Sequence, residues 1–127
     1  MKNDHHGWWK CRKRRSNFLP KVWQRSTSLS ILIYKELSNC RDYGFKDQIT
    51  RSGLSIPSNI AEGFGRVSDK EKHNFLNYAR GSCAELRTQL YIGSEIGYID
   101  QSLSKKWIAE TDEISAMLSG LMKYLKK

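Results

Sequence analysis

The sequence predicts an all-α fold: an up-down-up-down antiparallel four-helix bundle with a kink in its second helix. Three observations predict it. Two prolines and nine glycines in 127 residues leave few chain breakers. Apolar residues recur at three- and four-residue spacing in four segments, and no segment alternates with the period of a strand. The length suits one domain, and folding at this size removes roughly two thirds of the unfolded surface from water, so a core forms without disulfide staples. The expected organisation is a basic N-terminal arm over residues 1–18 and a bundle over residues 19–127.

The first helix is expected from Lys21 to Asn39, after Pro20, whose missing N–H suits a first helical turn. Val22, Arg25/Ser26, Leu29, Leu32/Ile33 and Glu36/Leu37 trace its inner stripe, and the turn formers from Asn39 to Gly44 end it. The second is expected from about Phe45 to Phe64, with Phe45, Ile49, Gly53, Ile56, Ile60 and Phe64 facing inward. Pro57 falls inside it. A mid-helix proline presses on the carbonyl four residues back, and here that residue is Gly53, where the backbone can yield. Ser55 and Ser58 are placed to satisfy the freed groups. This reads as one kinked helix; the rival is a break at residues 55–58.

Ser68-Asp69-Lys70-Glu71 forms a capping box that opens a third helix, running to about Ile96 and stopping at Gly97. Phe75, Ala79, Ser82/Cys83, Leu86, Leu90 and Gly93 form its inner face. Gly81, Ser82, Ala84 and Gly93 are small, so close approach of a neighbouring helix is expected there. Asp100 or Ser102 caps a fourth helix to about Leu125, with Leu103, Trp107, Ile114, Met117/Leu118, Leu121 and Leu125 facing inward. Lys123, Lys126 and Lys127 suit the negative end of its dipole.

The net charge is +9, and it is unevenly placed. Residues 1–25 hold eight basic side chains and one acidic, +7, whereas residues 26–127 hold 14 and 12, +2. A nearly neutral bundle thus carries a basic arm. Trp8 and Trp9 precede the run Lys10-Cys11-Arg12-Lys13-Arg14-Arg15. Cations neutralise phosphates and release counterions, and indole faces stack on unpaired bases, so the arm points to nucleic acid. A solvated tail, a start assigned too far upstream and an interfacial membrane segment remain open readings.

No apolar run is long enough for a membrane span, and the start lacks the apolar stretch of a secretory signal. Cys11, Cys40 and Cys83 are odd in number and form no CxxC pair, which fits a reducing cytoplasm and supports neither a zinc site nor a disulfide framework. Cys83 reads as a small core residue. The His5-His6 doublet lacks a third ligand, and His73 reads as a surface residue. No phosphate loop or nucleophile motif is present. The expectation is therefore a non-enzyme without metal or cofactor. One polar cluster stands out: Asn59 and Glu62 on helix two, Arg80 and Glu85 on helix three. An inter-helix pair such as Glu62 with Arg80 would fix register.

Two stretches are recognisable, residues 48–66 with SIPSNIAEG at their heart, and residues 75–90 with ARGS, followed by Gly97-Tyr98-Ile99 and preceded by Val22-Trp23-Gln24. From about Leu19 to Leu125 the chain resembles the bacterial four-helix-bundle family also called ribosomal RNA intervening-sequence proteins. The resemblance implies a left-handed up-down bundle and a homopentameric ring. It also implies a relation to the accessory protein of diversity-generating retroelements, which binds nucleic acid and a reverse transcriptase. No enzymatic activity is implied. Arg51, Pro57, Asn59, Glu62, Arg66, Arg80 and Glu85 match the family motif, with bundle or ring structure as their implied role. Cys83 departs from the usual aliphatic residue, and the arm lies outside the resemblance.

The expected function is a cytoplasmic, oligomeric bundle that binds nucleic acid, RNA before DNA, through electrostatics. Lys10, Arg12, Lys13, Arg14 and Arg15 are the expected phosphate contacts, Trp8 and Trp9 the stacking groups, and Arg51 and Arg66 secondary contacts on the bundle. The alternative is a scaffold that docks a protein such as a reverse transcriptase.

Overall fold

The computed structural model describes residues 18–125, with side chains from Lys21. The chain forms four helices, α1 (Phe18–Glu36), α2 (Tyr43–Phe64), α3 (Asp69–Glu95) and α4 (Gln101–Lys123), and no strand occurs among the described residues. Each helix packs on its neighbour in sequence, and α1 closes on α4.

The caps follow from side-chain chemistry. Asp42 accepts the Phe45 N–H at 3.1 Å, Ser68 accepts the Glu71 N–H at 3.1 Å, and Asp100 accepts from Ser102 and Leu103. Each satisfies backbone donors that a helix start leaves without partners. Of the two candidates for the fourth cap, Asp100 takes the role. α3 ends in a Schellman motif: Tyr98 N–H reaches the Gly93 carbonyl at 2.8 Å, and Gly97 N–H the Ser94 carbonyl at 3.2 Å. Gly97 has φ +84°, a left-handed conformation that is nearly free of strain only for glycine.

The core joins Val22, Leu29 and Ile33 of α1, and Leu37 just after it, to Ile49, Ile56 and Ile60 of α2, with Leu76, Ala79, Cys83, Leu86 and Leu90 of α3 and Trp107, Ile114, Leu118 and Met122 of α4. The seams show how the helices are laid. Late α2 meets early α3, where a Cβ on Gly63 would stand 3.0 Å from Phe75 Cβ. Early α2 meets late α3, where a Cβ on Gly93 would stand 2.9 Å from Phe45 Cζ and 2.8 Å from Ile99 Cδ1. Glycine at both positions permits close approach.

Two expectations change, and the reading of one helix through Pro57 holds. Gly81 and Ala84 are exposed, and a Cβ on Gly81 would have no neighbour within 4 Å. They are not the close-approach positions, because the outward side of α3 carries them. Phe45, Phe64 and Phe75 are half-buried, whereas the core also takes Thr50, Ser82, Ser104 and Thr111, small polar groups inside the helix seams. α2 runs unbroken through Pro57, and the Ser55 hydroxyl reaches Ser82 Oγ on α3 at 2.7 Å while accepting from Asn59.

Candidate nucleic-acid interface

The strongest sequence candidates, Trp8, Trp9, Lys10, Arg12, Lys13, Arg14 and Arg15, lie outside the described residues. Of the two secondary ones, Arg51 is on α2 and Arg66 lies in the turn that follows it. Arg51 is exposed and holds Asp47 one turn back at 3.2 Å. Arg66 donates to Glu62 at 2.5 Å, and its guanidinium lies 4.7 Å over the Phe75 ring. Arg51 thus keeps an exposed, weakly paired charge, whereas Arg66 is held by α2 and α3 together.

The other motif residues stay apart from one another. Glu62 and Arg80 do not pair. Glu62 takes Arg66, just past the end of α2, and Arg80 reaches Ser119 of α4 at 3.0 Å and Asn77 at 2.8 Å. Arg80 sits on the α4 side of α3 and Glu62 beside its own i+4 partner, so the expected register pair is replaced by these bonds. Asn59 donates to the Ser55 carbonyl at 2.9 Å and to its hydroxyl at 3.0 Å. Pro57 is buried in α2, and Glu85 is exposed on α3.

Cys83 is buried, and burial, with the Asp112 charge adding to it, pushes its thiol up to about 12. The thiolate needed for nucleophilic chemistry is therefore suppressed at neutral pH. At the start of α2, the Phe45 N–H and the Tyr98 hydroxyl, the latter at 2.8 Å, hold the Asp42 carboxyl below its ordinary value. Tyr98 also stacks edge-on against Phe45, 5.2 Å between centroids. These contacts pin the α3–α4 turn to α2. Among the described residues no group of three His, Cys, Asp or Glu side chains gathers to hold a metal, and no helix is long and apolar enough to cross a membrane.

The α1–α4 seam carries an arrangement that sequence reading missed. Arg25 clasps Glu110 through two nitrogens, Nε at 2.9 Å and Nη2 at 2.6 Å. Hydrogen bonding to Glu110 raises the Arg25 pKa above its ordinary value against the opposing effect of burial. This two-pronged geometry is the strong form of an ion pair. The pair splits the seam into two cavities. The larger, about 660 Å³, is lined by residues including Leu29, Leu32, Leu103 and Trp107, with Glu36, Glu110, Lys35 and Lys106 also present. The smaller, about 430 Å³, is lined by Lys21, Arg25, Met117, Gly120, Leu121, Lys123 and Tyr124. The available signal was positional: Arg25 shares the stripe of Ser26 and Leu29, and Glu110 lies between Trp107 and Ile114.

Residues 20–120 match the model of the 23S rRNA-intervening sequence protein family. Among solved structures, the chain is similar to a protein of unknown function from the S23 ribosomal protein family of Bacteroides thetaiotaomicron, at 27% identity and TM-score 0.75, over 80% of this chain and 98% of that one. No curated protein matches the chain.

Proposed function

The chain belongs to the 23S rRNA-intervening sequence protein family, and from that premise we propose a non-enzymatic, cytoplasmic, oligomeric bundle that binds nucleic acid, RNA before DNA, by electrostatics. The observation that carries this reading is the charge asymmetry: eight basic side chains against one acidic in residues 1–25, on a domain that is otherwise nearly neutral. A cationic segment of this kind gains affinity by releasing counterions from phosphates, with little dependence on base sequence. Lys10, Arg12, Lys13, Arg14 and Arg15 make the phosphate contacts, Trp8 and Trp9 stack, and Arg51 adds an exposed charge on the bundle.

The same reading takes the helices in an up-down-up-down course with α2 bent at Pro57, and the chain as a ring of five. The order of contacts along the seams supports the course. Ile31, Leu32, Tyr34 and Leu54, each about half exposed, supply apolar surface that a second copy would cover. Five arms in one ring would raise the effective concentration of phosphate-binding groups.

Titration of labelled single-stranded RNA and of DNA at several salt concentrations tests the reading. Binding that weakens steeply with salt supports it. A chain whose Lys10 and Arg12 to Arg15 are changed to glutamine and that binds as before refutes the role of the arm. Light scattering tests the ring: five chains of 14.8 kDa scatter as about 74 kDa, and a 14.8 kDa species in dilute solution excludes it.

A further inference from the structure

We infer that the smaller cavity of the α1–α4 seam is a second nucleic-acid contact, on the folded bundle, where Lys21 and Lys123 take backbone phosphates and Tyr124 stacks on a base. This deepens the proposed function and rests on it. The cavity joins the first turns of α1 to the last turns of α4. Lys21 and Lys123 are exposed, and Tyr124 is 81% exposed, a large fraction for a ring beside an apolar floor of Met117 and Leu121. No lining side chain is acidic, although Glu110 holds Arg25 from the neighbouring side. Arg25 thus forms a wall with its charge balanced, and Lys21 and Lys123 face solvent.

The two cavities of the seam differ in the feature that matters. The larger one includes the carboxylate of Glu36 in its lining, which repels an anion as Lys35 and Lys106 attract one, while Glu110 is balanced there by Arg25. The smaller presents cations, an aromatic face and apolar surface together, the combination that tracks a single strand by phosphate neutralisation and base stacking. By sequence it also adjoins the basic arm, which leads into α1, and the terminal pair Lys126-Lys127, which follows α4. A strand held by the arm would therefore meet this cavity next.

Fluorescence anisotropy with a 5′-labelled oligouridylate of about 20 nucleotides, titrated with the full chain at several salt concentrations, tests the inference. The variant Lys21→Gln/Lys123→Gln should flatten the slope of log K against log salt by about 1.4, two contacts at about 0.7 each for a single strand. Tyr124→Ala should weaken binding about fivefold or more with the slope unchanged. Lys105→Gln/Lys106→Gln removes the same charge from the start of α4 and should leave the slope as it was. If the unsubstituted chain binds and the Lys21/Lys123 variant keeps its slope, this site is refuted while the proposed function stands. An equal flattening in both lysine pairs refutes it too, since net charge alone would then explain the loss. A full chain that binds no RNA overturns both.

Discussion

The α2–α3 seam and the α1–α4 seam are built from opposite materials. Between α2 and α3, Gly63 and Gly93 admit Phe75 and Phe45, Ser55 bonds Ser82, and the Arg66 guanidinium sits over the Phe75 ring. Between α1 and α4 the packing is looser, one two-pronged ion pair spans the gap, and cavities flank it. The recognisable motif lies on the tight seam. Several of its polar residues, Asn59, Glu62, Arg66 and Arg80, are engaged by neighbouring groups, while Arg51 and Glu85 stay exposed; Lys21, Lys123 and Tyr124 add exposed groups on the loose seam. Recognisability in a sequence thus marks a packing constraint here as readily as a binding site.

The comparison breaks most sharply in the shared core. Ile56→Ala or Leu86→Ala, each fully buried, should cost about 2–5 kcal/mol by lost burial and cavity formation, read from urea unfolding. Next, two glycines of one helix should respond oppositely. Gly93→Ala forces a Cβ to within 2.8 Å of Ile99, which is buried, and 2.9 Å of Phe45, and should destabilise by about 1–3 kcal/mol. Gly81→Ala meets nothing within 4 Å and should stabilise by up to about 1 kcal/mol through helix propensity. Equal responses would show that the seam is not as tight as described.

On the loose seam the effects should be smaller. Glu110→Gln should cost about 1 kcal/mol, because the pair is partly solvated, and a double-mutant cycle with Arg25→Gln should recover that coupling. Asp42→Ala and Asp100→Ala give the pH signature. Backbone and hydroxyl donors depress both carboxyls. The stability they contribute is present above the ordinary aspartate value, about 3.9, and is lost as pH falls through their depressed values. Each variant should therefore unfold at lower urea than the unsubstituted chain at pH 7, with the difference closing at strongly acidic pH. A gap that persists there would mean that the charge is not what stabilises the caps.

Most of the fold was legible because helical periodicity and capping chemistry are local. Ser68 and Glu71 announced α3, Gly97 announced its end, and Pro57 over Gly53 allowed α2 to continue. Legibility failed where the outcome depends on which side of a helix meets which neighbour. Gly81 and Gly93 look alike in sequence, yet only Gly93 faces a partner. Glu62 and Arg80 each had suitable chemistry, but Arg66 lies one turn from Glu62, and the contacts of Arg80 are Asn77 on its own helix and Ser119 of α4. The Arg25–Glu110 clasp joins residues 85 apart, and the cavity beyond it is assembled from the first turns of α1 and the last turns of α4. Such pairings need the tertiary arrangement, which periodicity along one helix does not encode.

The central claim is that cations of the arm and of the adjoining bundle end bind the phosphate backbone. The salt dependence of single-stranded RNA binding by the full chain tests it most directly. Five arm contacts with two on the bundle predict a slope of log K against log salt near −5, at about −0.7 per phosphate. A slope near zero, or no binding at low salt, would contradict it.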